Sequence, residues 1–488
     1  MSTPSASPAL DHALASGIAW TAALRWLAQL ISWVATLYAA RLLAPADYGL
    51  IAMATLAIGL ARMVEDFGLD AVLVQDRSID AEQRARLAGF LLLIAVALAA
   101  AYLLLAPAIA GFFGEPQVAA IIMALSALML TDALQVVPRA QLQRELQFGR
   151  LALATFVQAL VTAAVLAGAA TAGLGYWALV LNSLAGAAAI TLLLVLWRPF
   201  AIAWPRDVRT LARPLLQGWR LLAARIAWYG YSNADQTIVG RMLGKDALGA
   251  YSFAVTFSTL AQQEIGSVIS RVVPGVFSAV QDRREELRRY FLLLTELLTV
   301  FTFPVSIGTA LVADLAIPLV LGPQWDAVVV PLQLLCVYAA YLSSQTLMGH
   351  LLLWTGQFRA NLWLSVLAGV GMPLALLGAV NFGLVGIGWA WVVVYPVLNI
   401  PQFYLAFRTV RVTTRDWLRA VGPALAGCAA MALAVFAARA VVPDGWPIAK
   451  TGAAIAVGAL VYAAVIWFGF RARVHAMFDL ARALRTRT

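Results

Sequence analysis

Residues 88–107 read AGFLLLIAVALAAAYLLLAP, twenty positions without a charge, and the nearest arginines, Arg84 and Arg86, stop just before them. Hydrocarbon about 30 Å thick is crossed by about 20 apolar residues of helix at 1.5 Å per residue. Runs of this kind recur along the whole chain, near 18–40, 48–74, 88–107, 118–137, 151–172, 177–197, 215–240, 249–274, 291–312, 329–350, 361–380, 386–407, 418–441 and 451–470. Of the 488 residues 62% are hydrophobic and only 12% charged, more apolar surface than a water-soluble fold can hide. The expected fold class is therefore all-α integral membrane, with about fourteen transmembrane helices. Open sheets leave unpaired backbone groups in lipid, and the alternation of barrel strands is absent from these continuous runs.

The net charge of +10 comes from 32 arginines and 2 lysines scattered over short loops, which speaks for membrane topology and against a nucleic-acid partner. Counted in alternate loops, 24 Lys and Arg fall on one side, among them Arg77, Arg144, Arg198, Arg283 and Arg408, and five on the other, Arg41, Arg241, Lys245, Arg439 and Lys450. Cytoplasmic loops retain positive charge, so both termini are expected in the cytoplasm. The run at 18–40 is too long for a signal-peptide core and is expected to stay in the mature protein. Cys336 and Cys428 lie inside separate runs with no metal-ligand spacing, so no metal and no disulfide is expected. No loop is long enough for a soluble domain, and no G-x-x-x-x-G-K-[ST] loop is present to bind nucleotide phosphates. No cofactor is expected. Transport would draw on a coupled proton or sodium ion, the substrate gradient or a partner.

An offset of 200 residues sets Arg25 on Arg225, Ser32 on Ser232, Arg41 on Arg241, Leu43 on Leu243 and Gly49 on Gly249 without a gap. A second match, at an offset of 213, sets Gly173-Leu-Gly-Tyr-Trp-Ala on Gly386-Ile-Gly-Trp-Ala-Trp. Six spans separate the copies, so the repeat is parallel and the substrate site is expected between two lobes. The domains read from it are 1–214 with six spans, 215–412 with six, and 413–488 with the last two and a tail.

A charge at mid-membrane costs about 2.5–3.5 kcal/mol on insertion scales, which makes each one a functional candidate facing the bundle interior or water. Arg25, Arg62, Arg220 and Arg225 are the candidates for a cationic, substrate-binding lumen; Glu65, Asp66, Asp235 and Glu264 are candidates for ion coupling or charge pairing. Asp132 is a further charge inside a span. Two readings stay open for several of these. Arg62 stands three and four positions before Glu65 and Asp66 and could simply pair within its own helix. Arg220 and Arg271 are near enough to the inner face to snorkel, and Asp235, beside Asn233, could only be holding helices together. A basic cavity suits an anionic headgroup such as a pyrophosphate, since a guanidinium binds phosphate bidentately and does not deprotonate.

Arg41-Leu-Leu-Ala-Pro-Ala-Asp-Tyr-Gly, Asp66-Phe-Gly-Leu-Asp-Ala-Val-Leu-Val-Gln75, Pro138-Arg-Ala-Gln-Leu-Gln-Arg-Glu-Leu-Gln-Phe148, Asn233-Ala-Asp-Gln-Thr-Ile-Val-Gly-Arg-Met-Leu-Gly244 and Leu248-Gly-Ala-Tyr-Ser-Phe-Ala254 together give the chain a signature. It resembles the polysaccharide-exporter branch of the multidrug/oligosaccharidyl-lipid/polysaccharide (MOP) superfamily, the Wzx-type flippases, over residues 18 to about 410. The resemblance implies two six-helix lobes around a central cavity, two extra helices, alternating access in the bacterial inner membrane, and no enzymatic activity. It implies as cargo undecaprenyl-pyrophosphate-linked oligosaccharide repeat units destined for O-antigen, capsule or exopolysaccharide. The partners it implies are that lipid-linked oligosaccharide, membrane lipids, and a polysaccharide polymerase and glycosyltransferases. The motifs mark helix ends and turns, so they do not designate site residues. The competing readings are a MATE-like drug or cation exporter, which should favour an acidic or aromatic cavity, and a membrane glycosyltransferase or polysaccharide polymerase. The last two need catalytic groups on substantial outer loops, whereas the first outer loop is only Arg41 to Asp47.

Overall fold

The computed structural model describes residues 8–66, 73, 79–204, 226, 228–280, 283–471 and 473. Among them there is helix and no strand. In chain order the helices are α1 (Pro8–Leu42), α2 (Pro45–Asp66), α3 (Ala81–Phe113), α4 (Gln117–Leu125), α5 (Ala127–Arg144), α6 (Phe148–Thr171), α7 (Tyr176–Trp197) and α8 (Ala234–Val280). They continue with α9 (Arg284–Val320), α10 (Val329–Trp354), α11 (Phe358–Ala379), α12 (Gly383–Trp389), α13 (Tyr395–Leu398), α14 (Ile400–Val410), α15 (Thr414–Val441) and α16 (Pro447–Ala464). Ten helical stretches among the described residues are long and apolar enough to cross a membrane. The expected spans fall on described residues except for parts of the second, at 67–72 and 74, and of the seventh, at 215–225 and 227, which lie outside them. The protein is a multi-pass helical membrane protein, and large apolar side chains such as Leu104 on α3 and Leu433 on α15 stand exposed, as lipid contact allows and water does not.

Local chemistry sets the helix ends. Asp80 and Gln83 form a reciprocal capping box at the start of α3, with Gln83 N donating to Asp80 Oδ1 at 2.7 Å and Asp80 N to Gln83 Oε1 at 3.2 Å. Thr413 and Asp416 do the same for α15. The span expected at 118–137 runs on to Arg144 and breaks only at Ser126. The one expected at 386–407 is the most irregular: a π-helical turn over Ala390–Val394 and a break at Asn399 divide it, with Pro396 and Pro401 removing ladder donors there. Trp391 Nε1 donates to Tyr251 Oη at 2.9 Å, and Gln345 Nε2 donates to both Asn399 Oδ1 and Gln402 Oε1 at 2.6 Å, so the buried Asn399 and Gln402 oxygens near the break find a donor, while Gln345 Oε1 has no partner among the described residues.

The chain divides into two compact units, Met1–Gly249 and Ala250–Thr488. In the first, α1, α6 and α7 share a core of small residues around Ala39, Ala170 and Ala178. Tyr102 Oη of α3 and Tyr229 Oη donate to the carbonyls of Ala57 and Leu56 on α2 at 2.7 and 2.9 Å. In the second, α9, α10, α15 and α16 enclose a core that includes Phe303, Ala424 and Met431, and Tyr462 Oη donates to the Val300 carbonyl at 2.7 Å. Near the base of α9, Phe291 and Leu298 pack with Met348 and Ala406 in a further cluster.

The offset of 200 has a geometric counterpart. The chain leaves helix at Ala44 between α1 and α2, and the residue with non-helical dihedrals inside α8 is Gly244, at φ +84°. A Cβ on Gly49 would lie 1.8 Å from the Lys245 carbonyl oxygen, and one on Gly249 would lie 1.8 Å from that of Pro45. The two copies of the motif thus touch reciprocally, each glycine against the backbone of the other copy, a self-complementary contact of the kind a two-fold relation produces. The match at 213 does not carry the same geometry: Gly173 and Gly175 have positive φ in a turn, whereas Gly386 and Gly388 are helical. Replacing Gly49 or Gly249 by Ala is expected to lower stability by about 1–3 kcal/mol, since backbone must shift. Gly111→Ala, with no atom within 4 Å of its Cβ position, is expected to leave it unchanged or raise it. Thermal unfolding of the detergent-solubilised variants reads both.

Candidate functional site

Within the first unit lies a cavity of about 790 Å³ bordered by α2, α4, α5, α6, α7 and Trp228. Its polar lining follows from helical spacing. On α5, Asp132, Gln135, Arg139 and Gln143 fall at i, i+3, i+7 and i+11, one face of the helix; on α2, Thr55, Gly59 and Arg62 do the same. Gln158 of α6 and Ser183 of α7 complete the polar wall. Arg62 Nη2 lies 2.6 Å from Asp132 Oδ2, with half of the arginine side chain and a quarter of the aspartate side chain accessible. The pair is therefore open to the cavity rather than sealed in hydrocarbon. Arg139 Nη2 donates to Gln135 Oε1 at 2.8 Å, and Gln135 Nε2 donates to Thr191 Oγ1 at 2.9 Å, which in turn donates to the Ala187 carbonyl at 2.7 Å. This relay orients Arg139 through an uncharged partner and leaves most of its five donors unused. With two guanidiniums against one carboxylate among the described residues, the described lining carries an excess positive charge.

Arg62 therefore pairs across helices, with a residue 70 positions away, instead of turning only to its own helix. The side chains of Glu65, Asp66 and Glu264, and Arg220 and Arg225 altogether, lie outside the described residues. Arg25 is exposed on α1 and does not line this cavity. Asp235 is buried in the first turn of α8, where its Oδ1 accepts from Gln236 N at 2.8 Å, a position that favours a carboxylate by the helix dipole. Of the sequence candidates, then, the cavity includes Arg62. Its partner Asp132 stood among the intramembrane charges without a role, and Arg139, Gln135 and Gln158 were missed. Arg139 falls just beyond the span expected at 118–137, yet α5 remains helical past it. The available signal was the i, i+3, i+7, i+11 polar stripe in an otherwise apolar helix. No group of three His, Cys, Asp or Glu that could hold a metal occurs among the described residues.

Residues 39–330, well over half of the chain, match the sequence profile of the polysaccharide biosynthesis protein family. The chain belongs to that family. Its relatives include the lipopolysaccharide biosynthesis protein WzxC of Escherichia coli K12, 26% identical over 418 residues and covering 81% of each chain. Another is the succinoglycan biosynthesis transport protein ExoT of Rhizobium meliloti, 24% identical over 461 residues, 92% of this chain and 91% of that one. Among solved structures the fold is that of the lipid II flippase MurJ in an inward closed conformation, with a TM-score of 0.71 and 11% identity over 93% of this chain and 99% of that one. A multidrug MATE transporter of the MOP superfamily follows at a TM-score of 0.59 and 14% identity, over 79% and 94% of the two chains. The helical membrane fold expected from the motifs is thus observed, shared with MurJ and with the MATE transporter, in a chain of the polysaccharide biosynthesis protein family.

Removing one member of the Arg62–Asp132 pair strands the other charge, whereas removing both does not. Because the pair is partly exposed, Arg62→Ala and Asp132→Ala are each expected to cost about 1–3 kcal/mol, and the double variant R62A/D132A less than the sum by at least about 1 kcal/mol. A double-mutant cycle on thermal unfolding measures the coupling, and additive costs would mean that the pair does not form.

Proposed function

We propose that the protein flips undecaprenyl-pyrophosphate-linked oligosaccharide repeat units from the cytoplasmic to the periplasmic face of a bacterial inner membrane, by alternating access, for assembly into exopolysaccharide, capsule or O-antigen. The observation that carries this reading is the cationic cavity of the first unit, in which Arg62 is held by Asp132 and Arg139 is held by neutral Gln135. A pyrophosphate entering it meets two bidentate donors. It competes with Asp132 for Arg62, and the freed carboxylate can take up a proton, so that loading and unloading of the cargo change the charge of the site. A drug or cation exporter would gain nothing from the second arginine. Arg25, Arg220 and Arg225 remain the further basic candidates for contact with the cargo, and Glu65, Asp66, Asp235 and Glu264 the remaining acids for coupling or pairing.

Alternating access is supported by the reciprocal approach of Gly49 and Gly249. Those turns belong to the loops poor in Lys and Arg, hence to the periplasmic end, with both termini in the cytoplasm. In this reading the two turns, in backbone contact within the first unit, part when cargo is released outward.

Deleting the gene and labelling lipid-linked sugars on each face of the membrane is the direct test. Loss of surface polysaccharide with repeat units accumulating at the cytoplasmic face is expected; normal repeat units at the periplasmic face would overturn the proposal. Complementation by R62A/R139A or by R25A/R225A is expected to fail by tenfold or more on the order of the transition-state and binding losses that paired arginines cause, with membrane insertion intact. Full activity of either variant would remove its arginines from the cargo path.

A further inference from the structure

The cavity of the second unit plays no part in the site above. It measures about 1950 Å³, well beyond the roughly 300–1,000 Å³ that holds a drug-sized ligand. Its wall is made where α9, α11 and α15 begin and where α10 and α14 end, so it sits at helix termini and not at mid-span. Among the described residues three arginines line it, Arg284, Arg408 and Arg411, and no Asp or Glu does. None of the three has an ion pair or side-chain hydrogen bond among the described residues. Two of the acids near them are engaged elsewhere: Glu286 pairs with Arg283 at 2.8 Å, and Asp416 pairs with Arg288 at 2.8 Å while capping α15, and the exposed Glu285 does not line the cavity.

The rest of the lining is apolar and differs from inside to outside. The floor is closed by packed rings, Phe403 against Trp417 at 5.6 Å and against Tyr341 at 6.0 Å. The rim carries Phe358 and Tyr404, both 65% exposed, with Trp354 beside them. Aromatic side chains at helix ends are at home where headgroups meet hydrocarbon. Unpaired cations next to outward-facing apolar side chains, at interface depth, match a ligand with a phosphate at one end and acyl chains at the other. A basic pocket between transmembrane helices on the positively charged side of a membrane protein is a recognised mode of headgroup binding.

We propose that this pocket binds an anionic phospholipid of the surrounding bilayer, its phosphate held by Arg284, Arg408 and Arg411 and its acyl chains laid against Phe358 and Tyr404. The site belongs to one unit alone and does not depend on what the first unit transports. A bilayer lipid fits better than the cargo because the apolar side chains of the rim stand exposed, and because Gln357 is the single amide in the described lining, the other uncharged polar groups being threonine hydroxyls and the polar atoms of Tyr and Trp.

Full-length protein in mixed micelles of equimolar phosphatidylglycerol and phosphatidylcholine, read by native mass spectrometry, tests this. Wild type is expected to retain phosphatidylglycerol at least about tenfold over phosphatidylcholine, and R284Q/R408Q/R411Q to lose that preference. R144Q/R150Q, which alters arginines of the first unit outside both cavities, is expected to keep it. If the triple variant does not fold, the single variants are read, each expected to weaken retention about fivefold. Equal retention by wild type and the folded arginine variants overturns the proposal. So does a wild-type preference for undecaprenyl pyrophosphate over phosphatidylglycerol that disappears in the arginine variants, which would assign the pocket to the cargo.

Discussion

A guanidinium placed at the level of hydrocarbon needs either water or a counter-charge within reach, and the Arg62–Asp132 pair meets both needs at once. The pair forms because α2 and α5 present polar stripes of matching depth, and it stays hydrated because the helices around it leave a cavity. A sealed ion pair would be structural at best, since desolvation offsets most of its attraction. An accessible one can exchange partners. That difference, set by packing around two side chains, separates a bridge that only holds helices together from a site that can receive an anion.

Between the helices, association gains little from hydrophobicity, because lipid tails are as apolar as leucine; close packing and hydrogen bonds have to supply it. Both are used. Gly49 and Gly249 bring backbone against backbone, and the Ala-lined core of α1, α6 and α7 works the same way on a larger scale. Tyr102, Tyr229 and Tyr462 reach across to main-chain carbonyls of neighbouring helices, and Thr302 donates to Ser343 at 2.8 Å in the middle of the second unit. Where prolines free backbone groups around 390–401, Gln345, Asn399 and Gln402 form a buried amide cluster. These are the contacts a helical membrane protein needs when it must remain able to rearrange.

The two cavities divide the polar work differently. In the first unit charge of both signs meets in a modest space lined by amides and hydroxyls. In the second, the described lining has cations without acids and borders a larger and more aromatic space at the helix ends. The former suits a guest that comes and goes with a change of charge, the latter an amphipathic molecule that stays.

The sequence by itself determined the fold class, the positions of the helices and the asymmetry of positive charge, because each depends on residues close together along the chain: run length, caps and loop composition. It also disclosed the repeat at Arg41–Gly49 and Arg241–Gly249, since rare residues at a constant offset are visible without a structure. It did not disclose that the two motifs touch each other, that the match at 213 is not geometrically equivalent, or that Arg62 pairs with Asp132 instead of only with its own helix. The polar stripe through Asp132, Gln135, Arg139 and Gln143 is legible in the sequence, but not that it lines a cavity. Periodicity says which face of one helix a residue occupies; which face of another helix lies opposite is decided by side-chain packing and helix crossing, and only the tertiary structure contains that.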